Sequence, residues 1–478
     1  MSIQPVVLWT DALLFALVVA GLLAALHVRR TEPLREAWRA VGRRPTGMAA
    51  ATVLLAFVVV GLLDSLHYRP LLPELEQGAE VSAGAQGQRS PIYSAEVLSA
   101  LDAILAPLRL QTEKTYSAPL AATLYQRETV VAPDGGQVRV YPRLVHGASH
   151  LTDPPAQLAA DVAWRVVKAV AIAAAVWSLA FVLVVFGVGR GSQLRWGEAV
   201  SAVVRGRTAL AWRAALLSFG VLLLITSVWA MLATHYHVFG TDKVGQDVLY
   251  LALKSVRTAL VIGTITTLVM MPFAVALGIA AGYLGGWVDD AVQYVYTVLN
   301  AIPGVLLIAA AVLMMQVVID THPQWFDTAA QRSDARLLAL CFILGMTSWT
   351  GLARLLRGET LKLRELEYVQ AARAFGVGTA AILRRHILPN VMHIVLIALV
   401  MDFSGLVLAE AVLSYVGIGV DPTTISFGTM INMARAELAR EPMVWWSLAA
   451  AFVFMFVLVL AANLFADVVR DAFDPRRS

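Results

Sequence analysis

Charge is scarce in this chain. Only 15% of its 478 residues are Asp, Glu, Lys or Arg, too few for an ordinary water-facing surface. There is one cysteine, Cys341, inside an apolar run, so no intrachain disulfide can form. No lysine follows a glycine, so there is no Gly-x-x-x-x-Gly-Lys-Ser/Thr loop. Such a loop needs that lysine to reach the terminal phosphates of a nucleotide. The short alternating strands of a membrane barrel are missing, and so are repeats at solenoid periods. No Lys or Arg precedes the first apolar run, where a removable signal peptide carries its basic leader.

What the chain has instead is apolar length. Hydrophobic residues make up 59% of it, and the mean hydropathy is +0.70. A lipid-facing backbone must be helical or closed into a barrel. Runs of about 20 apolar residues are the helical solution. Nine spans are expected, at 6–26, 47–66, 164–188, 210–233, 259–281, 293–319, 335–355, 391–418 and 444–466. Asn300 and Pro303 interrupt the sixth, and Pro303 opens its hydrogen-bond ladder as a hinge would. Positive charge follows the first span (Arg29, Arg30, Arg35, Arg39, Arg43, Arg44), the third (Arg190, Arg195, Arg205, Arg207), the seventh (Arg357 to Arg385) and the ninth (Arg470, Arg476, Arg477). Cytoplasmic loops carry such excess, which places the N-terminus outside and the C-terminus inside.

Residues 67–163 form a long polar insertion on the outer side. Val97, Leu101, Ile104, Leu105 and Leu108 recur at helical spacing after a cap at Ser94. Residues 129–131 and 138–141, joined through Pro133-Asp134-Gly135-Gly136, read as a hairpin. The piece 81–88 is small and polar, as a loose linker is. The insertion reads as an accessory module, separable from the translocation pathway.

The strongest signal lies between the seventh and eighth spans. Glu367-Tyr368-Val369-Gln370-Ala371-Ala372-Arg373-Ala374-Phe375-Gly376 is followed by Arg385-His386-Ile387-Leu388-Pro389-Asn390. This is an amphipathic helix, a glycine break, a short second helix and a proline stop. The small Ala371 and Ala372 admit a close partner backbone. The pattern resembles the cytoplasmic EAA loop of binding-protein-dependent ABC importers, in the dipeptide/oligopeptide/nickel branch. Gln370 stands for the family's Glu, and His386 fills a slot that is hydrophobic in the family.

Other segments carry the same resemblance. His237-Val238-Phe239-Gly240-Thr241-Asp242-Lys243-Val244-Gly245-Gln246-Asp247-Val248-Leu249 looks like a family segment just outside the first core span, with Gln246 in place of an Arg. Gly240 and Gly245 mark turns there, and Asp242 and Asp247 are suited to capping backbone N–H groups. Residues 281–289, 410–419 and 463–475 resemble three further family motifs. His235 and His237 form an H-x-H pair that suits a metal, but no Cys or carboxylate cluster nearby completes a site; the plainer reading is a pair of interfacial polar residues. Asp402 and Glu410 are carboxylates within the eighth span. Unpaired charge there costs about 2.5–3.5 kcal/mol, so both must face the protein interior, water or a partner subunit, in a structural role at a helix or subunit interface or in contact with substrate. Asp402 falls on no family motif.

The resemblance covers about 210–478. It implies an all-α polytopic membrane protein: a six-helix type I importer permease core, about three extra N-terminal transmembrane helices and a small extracytoplasmic insertion. The boundaries expected are 1–66 for two helices, 67–163 for the insertion, 164–209 for a third helix and linker, and 210–478 for the core with its coupling loop at 357–390. It further implies a non-enzymatic subunit of the cytoplasmic (inner) membrane that needs no cofactor and moves a peptide or similar small solute. ATP is then bound by two separate ATPase subunits. A second homologous permease and an extracytoplasmic solute-binding protein complete the assembly. The ATPase-coupling residues implied are Glu367, Tyr368, Gln370, Ala371, Ala372, Arg373, Phe375, Gly376, Leu388 and Pro389. An ion-coupled secondary transporter using Asp402 and Glu410 is the alternative from another class, and it should show inverted halves.

Overall fold

The computed structural model describes residues 3–71, 93–131 and 137–473. The linker 81–88 with Ser82, the hairpin turn 133–136 and the C-terminal Asp474-Pro475 and Arg476-Arg477 lie outside the described residues. Among those described, nine helical segments are long and apolar enough to cross a membrane. They match the nine expected spans in order. Most run past the apolar run that announced them, because helix hydrogen bonding does not stop where the hydrocarbon does.

Two compact units divide the chain. The first comprises 1–11, 42–258 and 425–458. A strand β1 (Ile3–Val6) pairs antiparallel with β2 (His67–Pro70), which pairs with β3 (Leu98–Ser99). The helix α1 (Trp9–Arg30) starts in this unit, and α2 (Glu32–Arg43) and α3 (Pro45–Asp64) follow it in the chain. The expected insertion helix is split into α4 (Ala100–Ile104) and α5 (Ala106–Leu110). Pro107 in the first turn of α5 accounts for the break, since it cannot donate to the preceding turn. The cap is Ser99, not Ser94: its hydroxyl accepts from the Asp102 N–H at 3.1 Å, and the Asp102 carboxylate accepts from the Ser99 N–H at 2.9 Å. Ser94 instead accepts from the Glu96 N–H within a turn. The hairpin is present as β4 (Glu128–Val131) and β5 (Gln137–Val140), with Thr129 opposite Arg139. Then come α6 (Pro154–Ser192), α7 (Trp196–Val204) and α8 (Trp212–Ala233). The helix α9 (Val248–Leu284) begins in this unit and continues into the second.

The second unit comprises 12–41, 259–424 and 459–478. The expected sixth span is two helices, α10 (Gly286–Ala301) and α11 (Gly304–Thr321). Ile302 and Pro303 are extended between them, so Pro303 separates two helices rather than hinging one. The seventh span joins α12 (Ala329–Ser348) to α13 (Thr350–Arg364). Next are α14 (Glu367–Ala374), α15 (Thr379–Ile382) and α16 (Leu388–Val416). The helix α17 (Phe427–Glu437) belongs to the first unit, and α18 (Trp446–Phe473) ends in the second. Trp38 of α2 packs edge-on to Phe473, with ring centres 5.7 Å apart. The core of this unit gathers Met270, Ala274, Trp349, Leu356, Ile387 and Val391.

Candidate functional site

The loop between α13 and α16 has two unlike faces. Val369 of α14 is 1% exposed, Ile382 of α15 is 1% exposed, and Ile387 is fully buried. They pack with Leu356 and Leu363 of α13 and Val391 of α16. Removing these side chains from water fixes the loop to the helices on either side. On the other face Glu367, Gln370, Ala371, Arg373 and Ala374 are exposed, and the Phe375 ring is 87% exposed. Leu388 and Ala372 are half-buried.

Backbone hydrogen bonds close α14. The Gly376 N–H donates to the Arg373 carbonyl at 3.0 Å, and the Val377 N–H to the Ala372 carbonyl at 3.1 Å. This pair of bonds requires a left-handed residue at the turn, and Gly376 supplies it with φ +77°. The two arms of the elbow are tied by Asn390, whose side-chain amide donates to the Tyr368 hydroxyl at 3.1 Å and to the His386 carbonyl at 2.5 Å. The His386 and Tyr368 rings are 5.8 Å apart, which gives His386 a packing role in its slot. Gln370 donates to the Glu365 carbonyl at 3.2 Å and to its carboxylate at 3.4 Å.

Pro389 is not a stop. The chain stays helical from Thr379 to Val416, and the turn 383–387 widens to π-type hydrogen bonding. The wider turn accommodates a proline that cannot donate to the preceding turn, and Pro389 sits in the first turn of α16, where no donor is needed.

The first arm is fastened at its root. Arg357 of α13 grips Asp289 of α10 with two bonds, at 2.5 and 2.6 Å. The Arg357 hydrogen bond holds the Asp289 carboxyl below its usual range. Gly278 and Gly282 of α9 let α13 come close. A Cβ at these positions would sit 2.6 Å from the Ala353 carbonyl oxygen and 2.7 Å from that of Arg357. Their four-residue spacing is a small-residue helix contact that was readable in the sequence but was not singled out.

Asp402 and Glu410 are not brought to the elbow's exposed face or to each other. Glu410 is 2% exposed and accepts a hydrogen bond from the Ser414 hydroxyl at 2.7 Å. Asp402 is half-buried and borders a cavity in the second unit.

The other family-like segment sits in the first unit. His237 lies between two carboxylates, with Nδ1 2.8 Å from Asp247 and Nε2 3.4 Å from Glu113 of the insertion. Burial pushes the His237 pKa down, but its bonds to Asp247 and Glu113 prevail and raise it to about 9. Glu113 is pushed up by burial, yet its bonds to His237 and to the N–H groups of Val145, Gly147 and His146 bring it down to about 2. The imidazole is thus engaged by hydrogen bonding as a cation. Asp242 accepts from the Val244 and Gln246 N–H groups, and Asp247 from those of Leu249 and Tyr250, as their capping pattern suggested. Gly240 and Gly245 have φ +71° and +79°. A Cβ on Gly245 would lie 1.8 Å from the Glu113 carbonyl oxygen, so the insertion packs directly on this segment.

Sequence reasoning missed a buried ionic network at the start of α9. Lys254 donates to Asp64 at 2.6 Å and to Asp102 at 3.0 Å. Arg257 donates to Asp11 at 2.6 Å, and His67 is 2.7 Å from the other Asp11 oxygen. The available signal was a pair of cations three residues apart in an apolar helix, with lone acids at the ends of two other spans.

The pattern of the family described as "Binding-protein-dependent transport system inner membrane component" matches residues 274–478. The oligopeptide transport system permease protein OppC of Mycobacterium tuberculosis (strain H37Rv) is 32% identical over 239 residues, covering 50% of this chain and 76% of that protein. The glutathione transport system permease protein GsiD of Pectobacterium atrosepticum is 33% identical over 242 residues, covering 50% and 73%. The dipeptide transport system permease protein DppC of Lactococcus lactis is 31% identical over 242 residues, covering 51% and 64%. With its helical spans and the elbow in place, the chain belongs to the binding-protein-dependent transport system inner membrane components, as an ABC importer permease of the peptide class with an N-terminal extension.

Proposed function

We propose that this chain moves small peptides across the inner membrane, driven by ATP hydrolysis on separate subunits that dock on the elbow at 357–390. The observation that carries the reading is the elbow's division into a buried face and an open one. Val369, Ile382 and Ile387 couple it to the spans, while Ala371, Arg373 and the 87%-exposed Phe375 face away. A ring that exposed is poorly placed for water and well placed for a groove on a partner. Closure of two ATPases would move the docked elbow, and α13 and α16 would carry that displacement into the membrane. Only a difference in ATPase contact between the outward and inward states can drive the switch. A second homologous permease and an external binding protein complete the machine, with the N-terminus outside and the C-terminus in the cytoplasm.

The test is co-purification. Phe375→Asp should lower recovery of the ATPase subunits with this chain by about tenfold, the loss of one buried aromatic anchor. Membrane insertion should be unchanged, because no span is touched. The isolated chain should hydrolyse no ATP, and the assembled complex should. Full ATPase recovery by the variant, or hydrolysis by the chain alone, refutes the reading.

A further inference from the structure

A cavity of about 640 Å³ opens within the second unit, lined by α13, α16 and the end of α18. Its size falls in the range of about 300–1,000 Å³ typical of small-molecule sites. On α16 the lining residues include Ile394, Ile397, Ala398 and Met401, a stripe at helical spacing, with His393 and Asp402 at its two edges. Glu359 and Arg470 also border it. Glu359 is neutralised by Lys362 at 3.0 Å. Asp402, His393 and Arg470 have no hydrogen bond or ion pair among the described residues. An acid inside a 29-residue apolar helix therefore faces a cavity without forming an ion pair, and Arg470 and His393 border the same cavity without pairing to it.

We infer that this cavity is a peptide-binding site, in which Asp402 receives the terminal ammonium and His393 and Arg470 face the terminal carboxylate. Resting on the peptide-import reading, this assigns the site within it. The cavity thus carries an acid at one edge and basic groups on its lining, none of them paired with another, and a zwitterionic peptide supplies an ammonium for Asp402 and a carboxylate for Arg470 and His393. His393 and Asp402 are nine helical residues apart, about 13 Å along the axis and half a turn around it, so they bracket the apolar stripe from opposite sides. The apolar stripe between them offers side chains a surface without hydrogen-bond demands, which suits a site that must take varied sequences.

The test uses the assembled importer in nanodiscs, without its binding protein, carrying Met401→Cys beside Asp402. The native Cys341 is fully buried and gives little background. A cationic thiosulfonate should modify the introduced thiol about tenfold faster than an anionic one, the effect of one nearby carboxylate. Adding Asp402→Asn should abolish that preference, and Asp402→Glu should keep it. Trialanine should protect the thiol, and N-acetyl-trialanine, which lacks the ammonium, should not. A thiol that never reacts, because a partner subunit fills the cavity, overturns the inference. So does the absence of charge preference, or equal protection by the acetylated peptide. ATPase activity is measured alongside to show that each complex is intact. Uptake of trialanine by the parent complex with its binding protein is scored separately. Uptake without Asp402-dependent protection removes the site alone, whereas no uptake removes the peptide reading as well.

Discussion

Gly376 turns the elbow at φ +77°, with nothing within 4 Å of where a Cβ would stand. The constraint on this position is therefore its own backbone and not its neighbours. A β-branched residue there is strained by roughly 1–3 kcal/mol. Gly376→Val should weaken ATPase-coupled transport at matched expression and leave insertion normal, while Gly376→Asn, which tolerates the left-handed region, should stay closer to the parent. Parent-level transport by Gly376→Val would mean that the turn does not transmit. Gln370→Glu restores the family's residue, yet here it removes two donated bonds and sets a second carboxylate beside Glu365. Both groups are exposed, so the loss should stay under about 1 kcal/mol, visible only as slightly reduced ATPase recovery. His237 gives a pH dependence. Its folded pKa of about 9 exceeds the ordinary 6.5, so its contribution is full below pH 6.5 and is lost as pH rises through 9. Glu113, lowered to about 2 from 4.5, contributes fully above pH 4.5 and loses that contribution as pH falls through 2. The segment is thus firmest between those limits. Deprotonating His237 should remove about 3 kcal/mol from the first unit. Thermal melts at pH 6 and 9.5 should show a drop in the parent that His237→Gln does not share; parallel drops would assign the effect to other groups.

Among elements, α9 carries the ties that bind the extension to the core-like sequence. Its Lys254 meets Asp64 of α3 and Asp102 of α4, and its Arg257 meets Asp11 of α1. Lys254→Met would leave two buried carboxylates without their cation, a loss of roughly 3–5 kcal/mol. Deleting 75–155 does the reverse, stranding Lys254 and His237 without Asp102 and Glu113. Read as a separable module, the insertion should be removable without harm. Packed as it is on Gly240 and Gly245, its deletion should lower the yield of folded chain in detergent, and Lys254→Met should lower the melting temperature. Unchanged melting and yield would show that the network is incidental. The elbow was legible because its determinants are local: a helix, a glycine and a proline within 25 residues. The nine spans were legible because burial in lipid demands apolar length. The ionic network was not, because Asp11, Asp64 and Asp102 lie 246, 190 and 152 residues from their partners. Pro389 was misread as a stop, since a widened turn can absorb a proline that a regular helix would not.

At the scale of the whole molecule, the arginines sort the loops by side of the membrane. Strand β1 pairs with β2, so residues 3–6 and 67–70 lie beside each other. Between them lie α1, 22 residues long, and α3, 20 residues long, both candidate spans. At 1.5 Å per residue each reaches about 30 Å, enough for the hydrocarbon layer. The arginines of α2, between the two spans, favour the cytoplasm. With α2 inside, the insertion is expected outside. Lys114, with 70% of its side chain exposed, and Arg39, exposed on α2, are suitable reporters. In intact cells an impermeant thiol reagent should modify Lys114→Cys, and should reach Arg39→Cys only after the membrane is opened. Cys341, fully buried, should stay silent in both. The reversed pattern would invert the whole chain and put the elbow outside, away from any ATP, so this one measurement bears on the coupling proposal as directly as on the topology.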